Sequence, residues 1–86
     1  MKLTAEISMY PLKEDYVAPI RWFIQRLDSY PNIERRTNAM ATQVVGDYAE
    51  VMQMLATEMQ AAHQQFGKAV FVCKFIGGAL DLGHSE

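Results

Sequence analysis

The sequence is poor in the residues that would cross-link it or hold a metal ion. Its 86 residues include one cysteine, Cys73, so it can form neither an intramolecular disulfide nor a two-cysteine metal clamp. It has no HExxH pattern and no aspartate-rich loop, so we expect no metal site. The lack of a disulfide framework is typical of a reducing compartment, and we expect a cytoplasmic protein.

An excess of charge of one sign and long apolar runs are also missing. Eight basic residues stand against ten acidic ones, a formal net charge of −2. This balance gives no electrostatic footprint for a nucleic acid or an anionic membrane. No window approaches the ~20 apolar residues of a membrane-spanning helix, and Glu6 interrupts the stretch that a signal peptide would keep apolar. We therefore expect neither nucleic-acid binding nor membrane insertion.

The composition is that of one small folded domain. Half of the residues are hydrophobic and 21% are charged, which argues against a disordered chain. We predict a single domain over residues 1–86, with a short tail at 84–86. A chain this short buries only roughly 60% of the surface that it exposes when unfolded. Because no disulfides supplement so thin a core, we expect a homo-oligomer, either a dimer or a tetramer.

The first third of the chain predicts a strand and a helix. Residues 3–10 alternate between apolar and polar side chains, which is typical of a strand, and Pro11 ends it. Apolar residues then recur at helical spacing from Val17 to Tyr30. Either Glu14 or Asp15 is placed to cap this helix.

The rest of the chain predicts a hairpin, a longer helix and a final strand. Two extended segments, 33–38 and 42–46, flank a short turn. Asp47 is placed to cap a nineteen-residue helix that stops at Gly67. The last segment, 68–76, is apolar on both faces, which favours an interior strand.

This order of elements is the split β-α-β pattern of the α+β ferredoxin-like fold, a four-stranded antiparallel sheet with two helices on one face. We expect the first and last strands to fill the centre of the sheet. The odd residues of the first strand should meet the helices, and the even residues should form an open face, which is an interaction surface by default. The second helix is expected to bury Met52 and to keep Glu58 on its polar side.

Two segments carry polar groups that suit a small ligand. In the hairpin segment 37–43, the Met40 thioether is surrounded by short side chains that supply donors and acceptors for a small flat molecule. An ordinary hairpin turn is the alternative. Glu6 places a carboxylate in the middle of a predicted central strand, where burial requires a partner. The basic residues that could provide it are Arg35, Arg36 and Lys74.

Two motifs resemble the YkoF-type thiamine/hydroxymethylpyrimidine-binding family and its single-domain relatives. They are E-I-S-x-Y-P-L at residues 6–12 and T-x-x-M-x-T-x-V-x-G-D-Y at residues 37–48. The similarity extends from residue 3 to about residue 76. It implies a ferredoxin-like domain that pairs sheets across an oligomer interface. It also implies binding of thiamine or its pyrimidine half without turnover and without a further cofactor.

Thiamine has an aminopyrimidine edge with adjacent donors and acceptors, and a thiazolium cation that prefers a carboxylate or an aromatic face. With the resemblance as a guide, we assign Glu6 to the cation or the exocyclic amine. Tyr10 and Met40 would sandwich a ring. The residues assigned to hydrogen bonds with the ring edge are Ser8, Thr37, Asn38 and Thr42. The pocket is expected near the open face and the hairpin.

Three other hypotheses remain. A cofactor-free enzyme would want a positioned base, often histidine, but His63 and His84 lie outside the predicted strands and hairpin, so we expect no enzyme. An RNA-binding sheet would need basic flanks around adjacent aromatic residues. The third hypothesis is a regulatory or assembly module without a small ligand.

Overall fold

A computed structural model describes residues 1–84 and confirms the predicted α+β ferredoxin-like fold. Both helices pack on one face of a single antiparallel sheet with the strand order β2-β3-β1-β4. The elements are β1 (Lys2–Pro11), α1 (Val17–Leu27), β2 (Glu34–Thr37), β3 (Thr42–Asp47), α2 (Tyr48–Phe66) and β4 (Ala69–Gly77). Of the predicted tail at 84–86, residues 85 and 86 lie outside the described residues.

The alternation along β1 separates the two faces of the sheet, as the sequence predicts. Its buried odd side chains, which face the helices, are Leu3, Ala5, Ile7 and Met9. We call the side of the sheet away from the helices the open face. The strand register places on it the even side chains of β1, Gln43 and Val45 of β3, and Val70, Val72, Lys74 and Ile76 of β4.

The prediction that the first and last strands fill the centre is wrong. β1 is central, but β3 is the other central strand and β4 lies at the edge of the sheet. An interior position depends on which backbone edges of a strand are paired, and apolar residues on both of its faces do not report this. On the open face, Val70, Val72 and Ile76 of β4 stay about half exposed.

α1 is shorter than predicted and starts without the predicted cap. The helix ends before Tyr30, and its N-cap residue is Tyr16. No side chain among the described residues caps it by a hydrogen bond, so neither Glu14 nor Asp15 has the predicted role. Pro19 occupies the third helical position and has no N–H, which removes one of the donors that a capping side chain would satisfy.

α2 has the predicted length and both predicted ends. The Asp47 carboxylate caps its first turn, and Gly67 ends it with a φ of +82°. The buried side of the helix differs from the prediction. Met54 is fully buried in place of Met52, and Glu58, expected on the polar side, is only 1% exposed.

The buried Glu58 carboxylate joins the two helices. It accepts hydrogen bonds from Arg26 Nε at 2.9 Å, from Arg26 Nη2 at 3.3 Å and from the Tyr30 hydroxyl at 2.6 Å. Burial raises the pKa of Glu58, but these hydrogen bonds and the Arg26 charge outweigh it and hold the pKa below its usual range. The charge is tolerated in the core because both carboxylate oxygens are paired.

The segment after β4, residues 78–84, lies against one end of the open face. The Thr4 hydroxyl donates to the Gly78 carbonyl at 2.9 Å and accepts from the Leu80 N–H at 3.0 Å. These contacts bury Thr4, whereas Tyr10 at the other end of β1 is 54% exposed. The segment therefore covers β1 at its Thr4 end and leaves its Tyr10 end accessible.

Candidate functional site

β1 extends past the end of β3 and leaves a notch in the sheet. The pairing of β1 with β3 ends where Ile7 lies opposite Thr42, but β1 continues to Pro11 with only β4 beside it. The β2–β3 loop, residues 38–41, borders this notch. From Ser8 onward, every second residue of β1 points its backbone N–H and C=O groups towards the notch, where no strand pairs with them.

The notch holds a cavity of about 160 Å³ between α1, β1 and the β2–β3 loop, which we call the notch cavity. Its apolar wall consists of Ile7, Met9, Ile20, Phe23 and Ile24. The predicted site residues that line it are Ser8, Tyr10, Thr37, Asn38, Met40 and Thr42. Six of the seven residues assigned from the sequence are thus brought together. They meet at the end of the sheet beside α1, where Ser8 and Tyr10 border the cavity from the open-face side of β1.

Asn38 orders the loop that borders the notch cavity. Its side-chain oxygen accepts from the backbone N–H groups of Met40 at 2.8 Å and Ala41 at 3.0 Å. The backbone N–H of Asn38 donates to the Ala41 carbonyl at 3.0 Å. Such a turn gives a short loop a fixed shape. Met40 is 86% exposed at the mouth of the cavity, so its thioether is free to cover a ligand.

Thr37 and Thr42 form the last pair of the β2–β3 hairpin and lie on the helix side of the sheet. Their hydroxyl oxygens are 3.0 Å apart. Arg35 Nη1 donates to the Thr37 hydroxyl oxygen at 2.6 Å, and Arg35 Nε donates to Asp28 at 2.6 Å. From the sequence, Arg35 was expected only as a partner for Glu6. Its alternation with Arg36 along β2 was the signal that the two lie on opposite faces.

Glu6 lies on the open face, outside the notch cavity. Its carboxylate accepts from Gln43 Nε2 at 3.0 Å and lies 3.7 Å from Lys74 Nζ. Of the three basic residues considered as its partner, Lys74 is the one that the structure places there. Glu6 lines a separate cavity of about 280 Å³, roofed by the segment 78–84. The assignment of Glu6 to the same ligand as the other six residues is untested, and the position of Glu6 outside the notch cavity argues against it.

His63 and Cys73 both pack against neighbouring residues. His63 Nε2 lies 3.1 Å from the Ala69 carbonyl oxygen, and its ring packs edge-on against Phe71. Cys73 packs against the core, and burial raises the pKa of its thiol. Within residues 1–84, no group of three or more His, Cys, Asp or Glu side chains could hold a metal ion, and no helix is long and apolar enough to cross a membrane.

Three solved structures have a similar fold. A Streptococcus pneumoniae protein is 21% identical with a TM-score of 0.84, covering 93% of this chain and 90% of that chain. A candidate thiamine biosynthesis/salvage protein of Thermotoga maritima is 20% identical with a TM-score of 0.83, covering 95% and 91%. A Methanocaldococcus jannascii protein is 24% identical with a TM-score of 0.77, covering 96% and 87%.

No curated protein matches the chain. The sequence pattern of the YKOF-related Family, however, matches residues 2–76. That span contains all of β1, α1, the β2–β3 hairpin and α2, and with them every residue that lines the notch cavity. The chain belongs to the YKOF-related family.

Proposed function

We propose that the chain binds thiamine or its hydroxymethylpyrimidine half in the notch cavity and does not turn it over. One observation carries this proposal: six of the seven residues assigned from the family resemblance line the same cavity. Family membership and a structural neighbour named for thiamine biosynthesis or salvage support the choice of ligand.

The volume of the notch cavity favours one aromatic ring. An engineered apolar cavity of about 150 Å³ binds benzene, and the notch cavity measures about 160 Å³. It therefore suits the pyrimidine ring and is too small for both rings of thiamine. The thiazolium would lie at the mouth, where Tyr10 offers an aromatic face and Met40 a polarizable sulfur.

The lining of the notch cavity suits the two sides of a pyrimidine. The faces of the ring would pack against Phe23 and its aliphatic neighbours. Its edge, with donors and acceptors side by side, would meet the Thr37 and Thr42 hydroxyls and the unpaired edge of β1. A mostly apolar wall with a few convergent polar groups is the usual form of a small-molecule site.

The same lining supports binding without catalysis. Among the described residues that line the notch cavity, the polar side chains are hydroxyls, one amide and one phenol. None of them is an imidazole or a carboxylate, the groups that most often transfer protons in enzymes. We therefore propose a ligand-binding protein rather than an enzyme.

We further propose a homo-oligomer, a dimer or a tetramer, formed through the accessible end of the open face. There Tyr10 pairs with Val70 and Ser8 with Val72, and the three larger side chains stay about half exposed. Because Tyr10 also lines the notch cavity, a second copy packed here would narrow its mouth. Light scattering should give a multiple of 9.8 kDa at micromolar concentration. Val72→Asp should shift it towards the monomer, and a wild-type monomer would contradict the assembly.

Titration calorimetry tests the ligand and its position. Thiamine has about 18 non-hydrogen atoms, and at roughly −0.3 kcal/mol each the binding free energy is about −5 kcal/mol, a Kd of ~0.1 mM. Enclosure of the ligand by a second copy of the chain would lower this Kd.

The matched variants for this titration are Asn38→Ala, which releases the loop, and Glu6→Gln, which changes the open face. We expect weaker binding in the first and unchanged binding in the second. The reverse pattern would move the ligand to the open-face cavity. Absence of binding by the wild type to both thiamine and hydroxymethylpyrimidine would refute the function.

A further inference from the structure

Arg35 lies just behind the polar wall of the notch cavity. Its side chain is 25% exposed and is held from two sides, by the Asp28 carboxylate at Nε and by the Thr37 hydroxyl at Nη1, each at 2.6 Å. Thr37 in turn lies 3.0 Å from Thr42. The guanidinium therefore stands at one end of a chain of hydrogen bonds, and the other end is the hydroxyl of Thr42, a residue that lines the cavity.

The charge at one end of this chain determines which way the hydroxyl protons point. A guanidinium can only donate, so the Thr37 oxygen accepts from it and turns its own proton away from the positive charge. The nearest acceptor in that direction is the Thr42 oxygen. Thr42, which then accepts from Thr37, has its own proton left over, and each bond of the chain polarises the next.

We propose that Arg35 is a positioning residue that makes Thr42 a hydrogen-bond donor into the notch cavity, so that the site selects rings with an acceptor nitrogen. The inference rests on the proposed function and specifies its ligand class, a heteroaromatic ring with an unprotonated nitrogen at its buried edge. Thr42 itself is only 5% exposed. A ring with C–H at that edge would leave its hydroxyl proton buried without an acceptor.

Rejection of such a ring is a strong form of selectivity. A site that is built to hydrogen-bond a ligand discriminates against the analogue that lacks the partner atom, because the polar group of the site is left unpaired. The apolar wall of the notch cavity, by contrast, cannot distinguish a pyrimidine from a benzene of the same shape. Selectivity between these two rings therefore reports on the Arg35–Thr37–Thr42 chain.

The test is the ratio of two dissociation constants measured by titration calorimetry, for hydroxymethylpyrimidine and for its benzene analogue with both ring nitrogens replaced by C–H. The variant is Arg35→Met, which removes the charge and the donor but keeps most of the stem. The matched control is Arg36→Met, the same substitution one residue later. Arg36 pairs with Gln43 on the open face, and its side chain is 60% exposed.

We expect the wild type and Arg36→Met to bind the pyrimidine about tenfold or more tightly than the benzene analogue. Arg35→Met should lose most of that preference, and its dissociation constant for the benzene analogue should change little. Thr42→Val should lose it as well. The double variant Arg35→Met/Thr42→Val should lose no more than Thr42→Val alone, since both act on one donor.

Each other outcome overturns the inference. If Arg35→Met weakened the binding of both rings equally, the residue would only support the cavity wall. An unchanged ratio in that variant, or additive losses in the double variant, would separate Arg35 from Thr42. A wild type that binds both rings equally refutes the inference while the proposed function stands. A wild type that binds neither ring refutes both the inference and the proposed function.

Discussion

Replacing Glu58 by glutamine removes one charge from the core with almost no change in shape. The carboxylate accepts two hydrogen bonds from Arg26 and one from Tyr30. Glutamine keeps one oxygen, which can still accept from Arg26 Nε. Arg26 Nη2 then meets the new NH₂ group and loses its bond, and the Tyr30 hydroxyl can only accept from that group instead of donating to a carboxylate. The contact between α1 and α2 is therefore weakened at its only described ion pair.

The size of the loss follows from what remains exposed. Removing one partner of a fully buried ion pair costs about 3–5 kcal/mol, and a hydrogen bond to a charged group contributes about 1.5–3 kcal/mol. The Arg26 side chain is 49% exposed and regains water when its partner is removed. We therefore expect Glu58→Gln to lower the free energy of unfolding by about 2 kcal/mol, or roughly 8–16 °C in Tm for a domain of this size.

The same variant should change the pH dependence of stability. The pKa of Glu58 is lower in the folded chain than in the unfolded chain. Its stabilising contribution is therefore complete above the unfolded-state pKa, about 4.3, and is lost as the pH falls through the folded-state pKa. The difference in free energy of unfolding between wild type and Glu58→Gln should be constant near neutral pH and should shrink below about pH 4.

Urea unfolding of wild type, Glu58→Gln and the exposed control Glu14→Gln, followed by circular dichroism from pH 7 to pH 3, measures both effects. The control should stay within about 0.5 kcal/mol of wild type. Equal midpoints for wild type and Glu58→Gln at pH 7 would refute the assigned role of the buried carboxylate. A difference in free energy of unfolding that persisted unchanged to pH 3 would refute the conclusion that folding lowers the pKa of Glu58.

Three further predictions concern single sites. Gly46→Ala should destabilise the fold by about 1–3 kcal/mol in urea unfolding, since its Cβ would lie 2.9 Å from Ile33; a neutral effect would contradict this packing. Cys73 should react with iodoacetamide more slowly in the folded chain than in urea, because burial raises its pKa, and equal rates would show an accessible thiolate. The pKa of Tyr30 is raised because its hydroxyl donates to a carboxylate, so one tyrosine should titrate late by ultraviolet absorbance and should return to the usual range in the glutamine variant above.

The fold could be predicted because each element has a local signal. Alternation specifies the faces of β1, helical spacing and Asp47 specify α2, and Gly67 specifies its end. The strand order could not be predicted in the same way. β4 has apolar side chains on both faces, but these side chains do not show which backbone edge of the strand is paired.

The sequence grouped most of the residues that line the notch cavity, but it did not predict the cavity itself. The motif around Met40 marked the loop that borders the cavity. The cavity exists because β1 continues beyond Ile7, where its pairing with β3 ends, and the lengths of paired strands are a tertiary property. The burial of Glu58 was missed for a similar reason. A glutamate at a core position is normally unfavourable, and only its distant partners, Arg26 and Tyr30, make it acceptable.

A crystal structure of the chain with hydroxymethylpyrimidine tests the central claim most directly. The account predicts the ring in the notch cavity, stacked on Phe23 with a ring nitrogen within hydrogen-bond distance of the Thr42 hydroxyl. A ring bound instead beside Glu6 under the segment 78–84, or a notch cavity left without the ligand at saturating concentration, would contradict it.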